Sequence, residues 1–189
     1  MIVLIGGSSH VGKTLFAQRL MERLNYPYIS LDHLKMGFIR TKRTSLTVED
    51  DSEMRDFLWP FAAEIIRTAI ENSQNLIVEG CYIPENWRNS FSVDELQYIR
   101  SIFLVMSEGY LRSHFKDVRK YANVIERRIN DEPDLERLIH CSNEFRECCI
   151  RNRTPYIEID GSFDPDSLLD KILNLLAIEN KSADESVTV

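Results

Sequence analysis

The feature that most constrains the fold is a glycine-rich motif near the start of the chain. The residues GSSHVGKT fit the pattern G-x-x-x-x-G-K-[ST] and directly follow the apolar run MIVLIG. Glycines let the backbone approach a phosphate, and the N–H groups of such a loop hold anionic oxygens. The pattern therefore predicts a phosphate-binding loop, formed by Gly7, Ser8, Ser9, His10, Val11, Gly12, Lys13 and Thr14. In such a loop the lysine reaches the β- and γ-phosphates of a nucleotide, and the threonine hydroxyl ligates Mg²⁺.

The residues on either side of the motif favour this prediction over a glycine-rich turn that matches by chance. Residues 1–5 form a continuous apolar run, which is typical of a strand buried on both faces. After the motif, Phe16, Leu20 and Leu24 recur four residues apart with polar residues between them, which predicts a helix. A phosphate-binding loop lies between a strand and a helix in this way.

The rest of the chain alternates between strand and helix patterns. Further strands are predicted in residues 27–32, 75–80, 98–107 and 155–160. Helices are predicted between them, with a kink or restart at Pro60, a start at residues 131–133 and a last start at Asp164. This alternation predicts an α/β fold with a parallel, doubly wound sheet of five strands. We expect one domain in residues 1–179 and a frayed tail in residues 180–189.

Composition excludes several classes of protein. A chain of 189 residues with 43% hydrophobic content can bury a substantial core. Its net charge of −7 argues against a general nucleic-acid binder. No apolar stretch approaches the roughly 18–20 residues that span a bilayer, and the start of the chain lacks the basic region of a signal peptide. The four cysteines form no C-x-x-C pair, so we expect reduced thiols and a cytoplasmic location.

Carboxylates follow several of the predicted strands, at the edge where parallel sheets bind ligands. Asp32 is the best candidate for a base that accepts the nucleophile's proton in phosphoryl transfer; the alternative is a cap for a helix that begins near His33. Glu79 either holds a water on Mg²⁺, or orients a substrate hydroxyl, or pairs with a nearby basic residue. Asp160 and Gly161 either pass beside an adenine or form an ordinary turn.

Basic residues cluster in two further stretches. Arg40 and Arg43 either hold an anionic acceptor or are loop charges balanced by the acidic residues that follow. Residues 112–128 contain six basic and only two acidic side chains. The basic residues of this stretch are Arg112, Lys116, Arg119, Lys120, Arg127 and Arg128. The stretch is either a solvated helix face or a lid, over about residues 108–133, whose arginines close on the transferring group. Arg127 and Arg128 are then catalytic candidates and Arg119 a nucleotide-binding candidate.

Together these stretches resemble the small P-loop kinases, the superfamily of nucleoside monophosphate, shikimate and gluconate kinases. The resemblance covers residues 1–179 and depends on GSSHVGKT, on Asp32 within ISLDHLKMG, on LIVEG and on the arginine-rich stretch. ISLD and LIVEG look closest to the branch of 2-phosphoglycerate kinase-like proteins, chloramphenicol phosphotransferase and zeta toxins. In that branch the strand-end aspartate is the usual base, which implies this role for Asp32. The third strand ends in Glu79-Gly80 and lacks the D-G-[FY]-P-R pattern of adenylate kinase.

The resemblance implies a P-loop NTPase three-layer sandwich with a helical lid, and ATP and Mg²⁺ as cofactors. It implies a kinase that transfers the γ-phosphoryl group to a hydroxyl or phosphate of a small molecule. The alternative is a nucleotide-binding regulatory ATPase or switch without such an acceptor; no N-K-x-D or L-S-G-G-Q motif occurs to support it. We expect a small-molecule partner, no nucleic acid and no membrane, and we leave formation of a homodimer open.

Overall fold

Five parallel strands form the sheet, in the order β2-β3-β1-β4-β5. The computed structural model describes the backbone of residues 1–122 and 133–185, and the side chains of these residues up to 176. The strands are β1 (Ile2–Gly7), β2 (Tyr28–Ser30), β3 (Leu76–Glu79), β4 (Ile99–Met106) and β5 (Tyr156–Ile159). The predicted five-stranded parallel sheet and α/β class are confirmed.

Helices cover both faces of this sheet. They are α1 (Lys13–Leu24), α2 (Leu31–Arg40), α3 (Asp51–Glu71), α4 (Val93–Leu96), α5 (Glu108–Tyr121), α6 (Leu135–Arg151) and α7 (Pro165–Glu185), with a 3₁₀ turn at Trp87–Ser90. Successive residues of β1 point to opposite faces of the sheet. Val3 and Ile5 pack in a core with α1, α5 and α7, whereas Ile2 and Leu4 pack in a second core with α3. The result is the predicted three-layer sandwich.

Several boundaries differ from the predicted ones. β2 ends at Ser30, where its pairing with β3 ends, so Asp32 lies in the first turn of α2 and not at the end of a strand. α3 does not restart at Pro60, because buried residues on both sides of the proline hold one continuous helix against the sheet. α6 begins at Leu135 after the cap Asp134, later than predicted. α7 continues past residue 179 to Glu185.

The cysteines agree with the expectation of reduced thiols. Cys81, Cys141 and Cys148 are half-buried free thiols, and Cys149 is buried and free. Of the helices within residues 1–122 and 133–185, none combines the length and the apolar character that a bilayer crossing requires.

Candidate functional site

The glycine-rich loop leaves the sheet at the carboxyl end of β1 and has a backbone that other residues could not adopt easily. At Gly7 the φ angle is 127°, and a Cβ atom there would lie 2.0 Å from the carbonyl oxygen of Leu104. Gly12, directly before α1, has a φ of 90°, and His10 has a φ of 62°. The positive φ angles at these three positions curl the loop, so that its N–H groups can face one concave side. The backbone is therefore suited to an anionic group at the start of α1.

Lys13 and Thr14 extend this cradle with a cation and a hydroxyl. The Lys13 side chain is 5% exposed, and its ammonium donates a hydrogen bond to the Ser8 carbonyl oxygen at 2.7 Å, across the loop. The Thr14 hydroxyl donates to Oε1 of Glu79 at 3.4 Å. A hydroxyl and a carboxylate are the oxygen ligands that Mg²⁺ prefers. The distance between Thr14 and Glu79 is compatible with the prediction that they hold this ion.

Helix α6 is hydrogen-bonded to the loop, which the sequence did not indicate. The Ser142 hydroxyl donates to the Ser8 hydroxyl at 2.9 Å and accepts from the Met106 N–H at 3.1 Å. Burial raises the pKa of the neighbouring Cys141 thiol, and a hydrogen bond from the Ser9 backbone opposes this shift. Two consecutive side chains of α6 thus contact two consecutive residues of the loop.

Asp32 lies beside Glu79 at the same edge of the sheet. Ser30 pairs with Glu79 in the register of β2 and β3. The backbone of Gly80 comes so close to α2 that a Cβ atom there would lie 2.8 Å from the Leu31 Cβ. Ser30 occupies the N-cap position of α2, so the alternative that Asp32 caps the helix is wrong. A carboxylate in a first turn still interacts favourably with the helix dipole.

The Asp32 carboxylate has a cationic partner on its own helix. Oδ1 of Asp32 lies 2.7 Å from the Lys35 ammonium, and the side chains of the two residues are only 16% and 12% exposed. The Lys35 ammonium also donates to the Tyr82 hydroxyl oxygen at 2.9 Å. No pattern in the sequence indicated that Lys35 or Tyr82 belongs to the site.

Several charged groups of this region act on the Cys81 thiol. Burial raises the pKa of Cys81 to about 12, and the charges of Asp32, Lys13, Lys35 and Asp51 also act on this thiol. The loop lysine and the Asp32 carboxylate are therefore both close enough to Cys81 for their charges to act on its thiol. Lys13, Asp32 and Glu79 thus all lie at the carboxyl end of the sheet, where parallel sheets bind ligands.

The connection after β5 contributes an aromatic ring beside the loop. Asp160 accepts a hydrogen bond from Ser107, the N-cap residue of α5, at 2.7 Å, so it joins β5 to that helix. Gly161 has a φ of 78° in the turn that follows. Phe163 is 37% exposed, and its ring would lie 3.4 Å from a Cβ atom at Gly12. This exposed ring was not predicted.

The predicted basic residues that the structure describes are exposed. Arg40 and Arg43 are exposed, and Arg40 lies about 12 Å along the axis of α2 from Asp32 at about 1.5 Å per residue. Arg119 is exposed on the last turn of α5. Arg112 bridges Glu108 and Glu136 and so joins α5 to α6. Arg127 and Arg128 lie outside the described residues, as does most of the predicted lid beyond α5.

A groove of about 780 Å³ lies at the opposite edge of the sheet. It is lined by residues that precede β2 and β3 and by the carboxyl half of α3, among them Pro27, Asn75 and Thr68. Because ligands of parallel sheets bind at the carboxyl ends of the strands, this groove is separate from the candidate site.

Comparison with known proteins identifies the fold. No protein-family model and no curated protein matches the sequence. A gluconokinase from Sinorhizobium meliloti 1021 matches with a TM-score of 0.58 and 17% identity, over 98% of this chain and 96% of that one. A sugar kinase from Janibacter sp. HTCC2649 matches with a TM-score of 0.59 and 15% identity, over 95% and 96% of the two chains. Shikimate kinase from Acinetobacter baumannii, in complex with shikimate, matches with a TM-score of 0.55 and 15% identity, over 94% and 93%. The chain therefore has the P-loop fold of the nucleoside monophosphate, shikimate and gluconate kinases.

Proposed function

We propose that the protein is an ATP-dependent kinase that transfers the γ-phosphoryl group to a hydroxyl or phosphate of a small molecule. The observation that carries this proposal is the placement of Lys13 and Asp32 at one end of the sheet: Thr14, next to Lys13, contacts Glu79 at 3.4 Å, and Glu79 pairs with Ser30, two residues before Asp32. Phosphoryl transfer requires these two groups close together, because one stabilises the phosphate charge and the other orients the nucleophile. The similar structures are named as kinases of small molecules, which supports the same reaction class.

In this proposal the loop of residues 7–14 binds the triphosphate. Its N–H groups hold the phosphate oxygens, and Lys13 lies over the β- and γ-phosphates. Thr14 and Glu79 would hold Mg²⁺, which neutralises the phosphate charge when bound. The Phe163 ring, which lies beside Gly12, is proposed to stack on the purine, with the turn at residues 160–161 next to it.

Asp32 is the proposed base. Its carboxylate takes the proton of the acceptor hydroxyl while the oxygen bonds to the γ-phosphorus and the bond to the β-phosphate oxygen breaks. The arginines after β4, which include Arg119, Arg127 and Arg128, are proposed to stabilise the charge of the transferring group. Arg40 and Arg43, at the far end of α2, would contact only an acceptor that extends along this helix.

The test is a screen of ATP consumption and thermal shift with sugars, nucleosides, nucleotides and small acids, followed by variants. We expect Asp32→Asn to keep ATP affinity while transfer falls by roughly 10²–10⁴, the usual contribution of a positioned base. Lys13→Ala should abolish transfer. Asp94→Asn is the matched control, since Asp94 is exposed on α4 and should leave turnover unchanged.

Two outcomes would contradict the proposal. Wild-type turnover in Asp32→Asn would show that Asp32 is not the base. Unchanged turnover together with unchanged ATP affinity by calorimetry in Lys13→Ala would show that the loop is not the nucleotide site. If no acceptor raises ATP consumption above the slow reaction with water, a regulatory ATPase or switch becomes the better assignment.

A further inference from the structure

A continuous chain of hydrogen bonds leads from the proposed base to two other helices. Asp32 and Lys35 form the ion pair of α2 at 2.7 Å, and Lys35 donates to the Tyr82 hydroxyl at 2.9 Å. The Tyr82 hydroxyl donates to Oδ1 of Asp51 at 3.3 Å, and Arg137 donates to Oδ2 of Asp51 at 2.9 Å. The chain thus joins α2, the connection after β3, the start of α3 and the start of α6.

The donors and acceptors of this chain have only one consistent direction. A tyrosine hydroxyl has one proton, and burial raises the pKa of Tyr82, so the hydroxyl stays protonated. Because this proton is given to Asp51, the hydroxyl oxygen accepts from Lys35. An ammonium can only donate, and it donates to Asp32 as well. Charge therefore alternates along the chain from the carboxylate of α2 to the guanidinium of α6.

The middle of this chain of hydrogen bonds is buried. Tyr82 is 3% exposed, and the Lys35 ammonium lies 4.9 Å from the centre of its ring, so both the hydroxyl and the ring face contact this cation. A lysine side chain has four rotatable bonds and loses considerable conformational entropy when it is held in one position. The Tyr82 contacts oppose that freedom, whereas an isolated exposed pair on a helix would contribute little.

We propose that Tyr82 is a positioning residue for Asp32 and that it acts through Lys35; this inference rests on the proposed role of Asp32 as the base. With Oδ1 held by an ammonium that is itself held by Tyr82, the Asp32 carboxylate has less freedom to rotate, and its orientation toward an acceptor hydroxyl is restricted. A base must meet the hydroxyl proton within a narrow range of distance and angle. Tyr82 contributes no proton and contacts no phosphate in this scheme.

The alternative is that Tyr82 and Lys35 only stabilise the start of α2. Both alternatives predict some loss of stability in Tyr82→Phe, which removes the hydroxyl and keeps the ring. They differ in their effect on turnover. A purely structural role predicts the same loss of turnover whether or not Asp32 is present, whereas a positioning role predicts a loss only when Asp32 is present. A double-mutant cycle with Asp32→Asn separates them.

The experiment measures phosphate release from radiolabelled ATP at saturating Mg²⁺, which needs no acceptor, and transfer to an acceptor wherever the screen supplies one. We expect Tyr82→Phe to lower kcat by roughly tenfold to a hundredfold, the effect of a small misplacement of a catalytic group, with unchanged KM for ATP. In the Asp32→Asn background, Tyr82→Phe should have no further effect. Tyr98→Phe is the control, since this tyrosine is 50% exposed and should leave kcat unchanged.

The outcomes separate this inference from the proposed function. A normal kcat in Tyr82→Phe, or an equal loss in both backgrounds, overturns the positioning role while the kinase proposal stands. No loss in Asp32→Asn overturns the base and the positioning role together, and no loss in Lys13→Ala overturns the site as a whole. If Tyr82→Phe fails to fold, Asp51→Ala removes the acceptor of the Tyr82 proton from the exposed side and should lower kcat in the same direction.

Discussion

Replacement of Ser142 by alanine tests whether α6 holds the phosphate-binding loop. Ser142 is 1% exposed, and its hydroxyl is bonded both to the fully buried Ser8 and to the Met106 N–H. The variant leaves a buried N–H without its acceptor, which costs about 1–3 kcal/mol, and loses a second hydrogen bond of about 1 kcal/mol. The better helix propensity of alanine returns about 0.5 kcal/mol. We expect a net loss of about 2.5 kcal/mol in the free energy of unfolding, or a Tm lower by about 5–10 °C.

Ser113→Ala is the matched control for this variant. Ser113 is also a helical serine, but it is exposed, and its hydroxyl donates to the Gly109 carbonyl of its own helix. Its replacement should change stability by no more than about 0.5 kcal/mol. Calorimetry should also find weaker binding of ATP with Mg²⁺ in Ser142→Ala, because Ser8 belongs to the loop. Equal Tm values and equal ATP affinities for the two variants would refute the reasoning.

Two further predictions concern the same loop. Gly7→Ala places a Cβ atom 2.0 Å from the Leu104 carbonyl oxygen and should lower the free energy of unfolding by about 3 kcal/mol. Gly37→Ala is the control, since a Cβ atom at this helical site has no neighbour within 4 Å, and it should raise the free energy of unfolding by about 0.5–1 kcal/mol. Urea unfolding measures both, and equal midpoints would contradict the loop geometry. Phe163→Ala should weaken ATP binding by roughly three- to tenfold and leave binding of inorganic tripolyphosphate unchanged, since only ATP has a base to stack. Equal losses for both ligands would exclude a base contact.

Local patterns were sufficient to predict the sheet and the loop. β1 starts as a continuous apolar run, β4 contains the apolar run 102–106, and the glycines and Lys13 stand at fixed spacing, so neighbouring residues carry the signal. The end of β2 was predicted too late because this strand lies at the edge of the sheet and pairs only with β3. The length of an edge strand depends on where its single partner ends, and the sequence of β2 does not contain that information.

The contacts that position the site could not be predicted in this way. Ser142 and Ser8 are 134 residues apart, and Lys35 and Tyr82 are 47 residues apart. A serine in a polar helix and a tyrosine after a strand have no pattern that identifies their partners. Only the folded sheet, which places the ends of β1, β3 and β4 at one edge, brings these side chains together.

Helix α6 connects the two halves of the candidate site. Near its start Arg137 bonds to Asp51 and so ends the chain that reaches the proposed base, and farther along Ser142 bonds to the phosphate-binding loop. Glu136 accepts from Arg112 of α5, so the basic stretch that the sequence singled out is joined to the same helix. The six residues from Arg137 to Ser142 span less than two turns, so one helix contacts both the phosphate-binding loop and the chain of hydrogen bonds that reaches Asp32. A displacement of α6 would therefore alter the loop and the chain to Asp32 together, and under the proposed function this helix would couple the position of the triphosphate to that of the base.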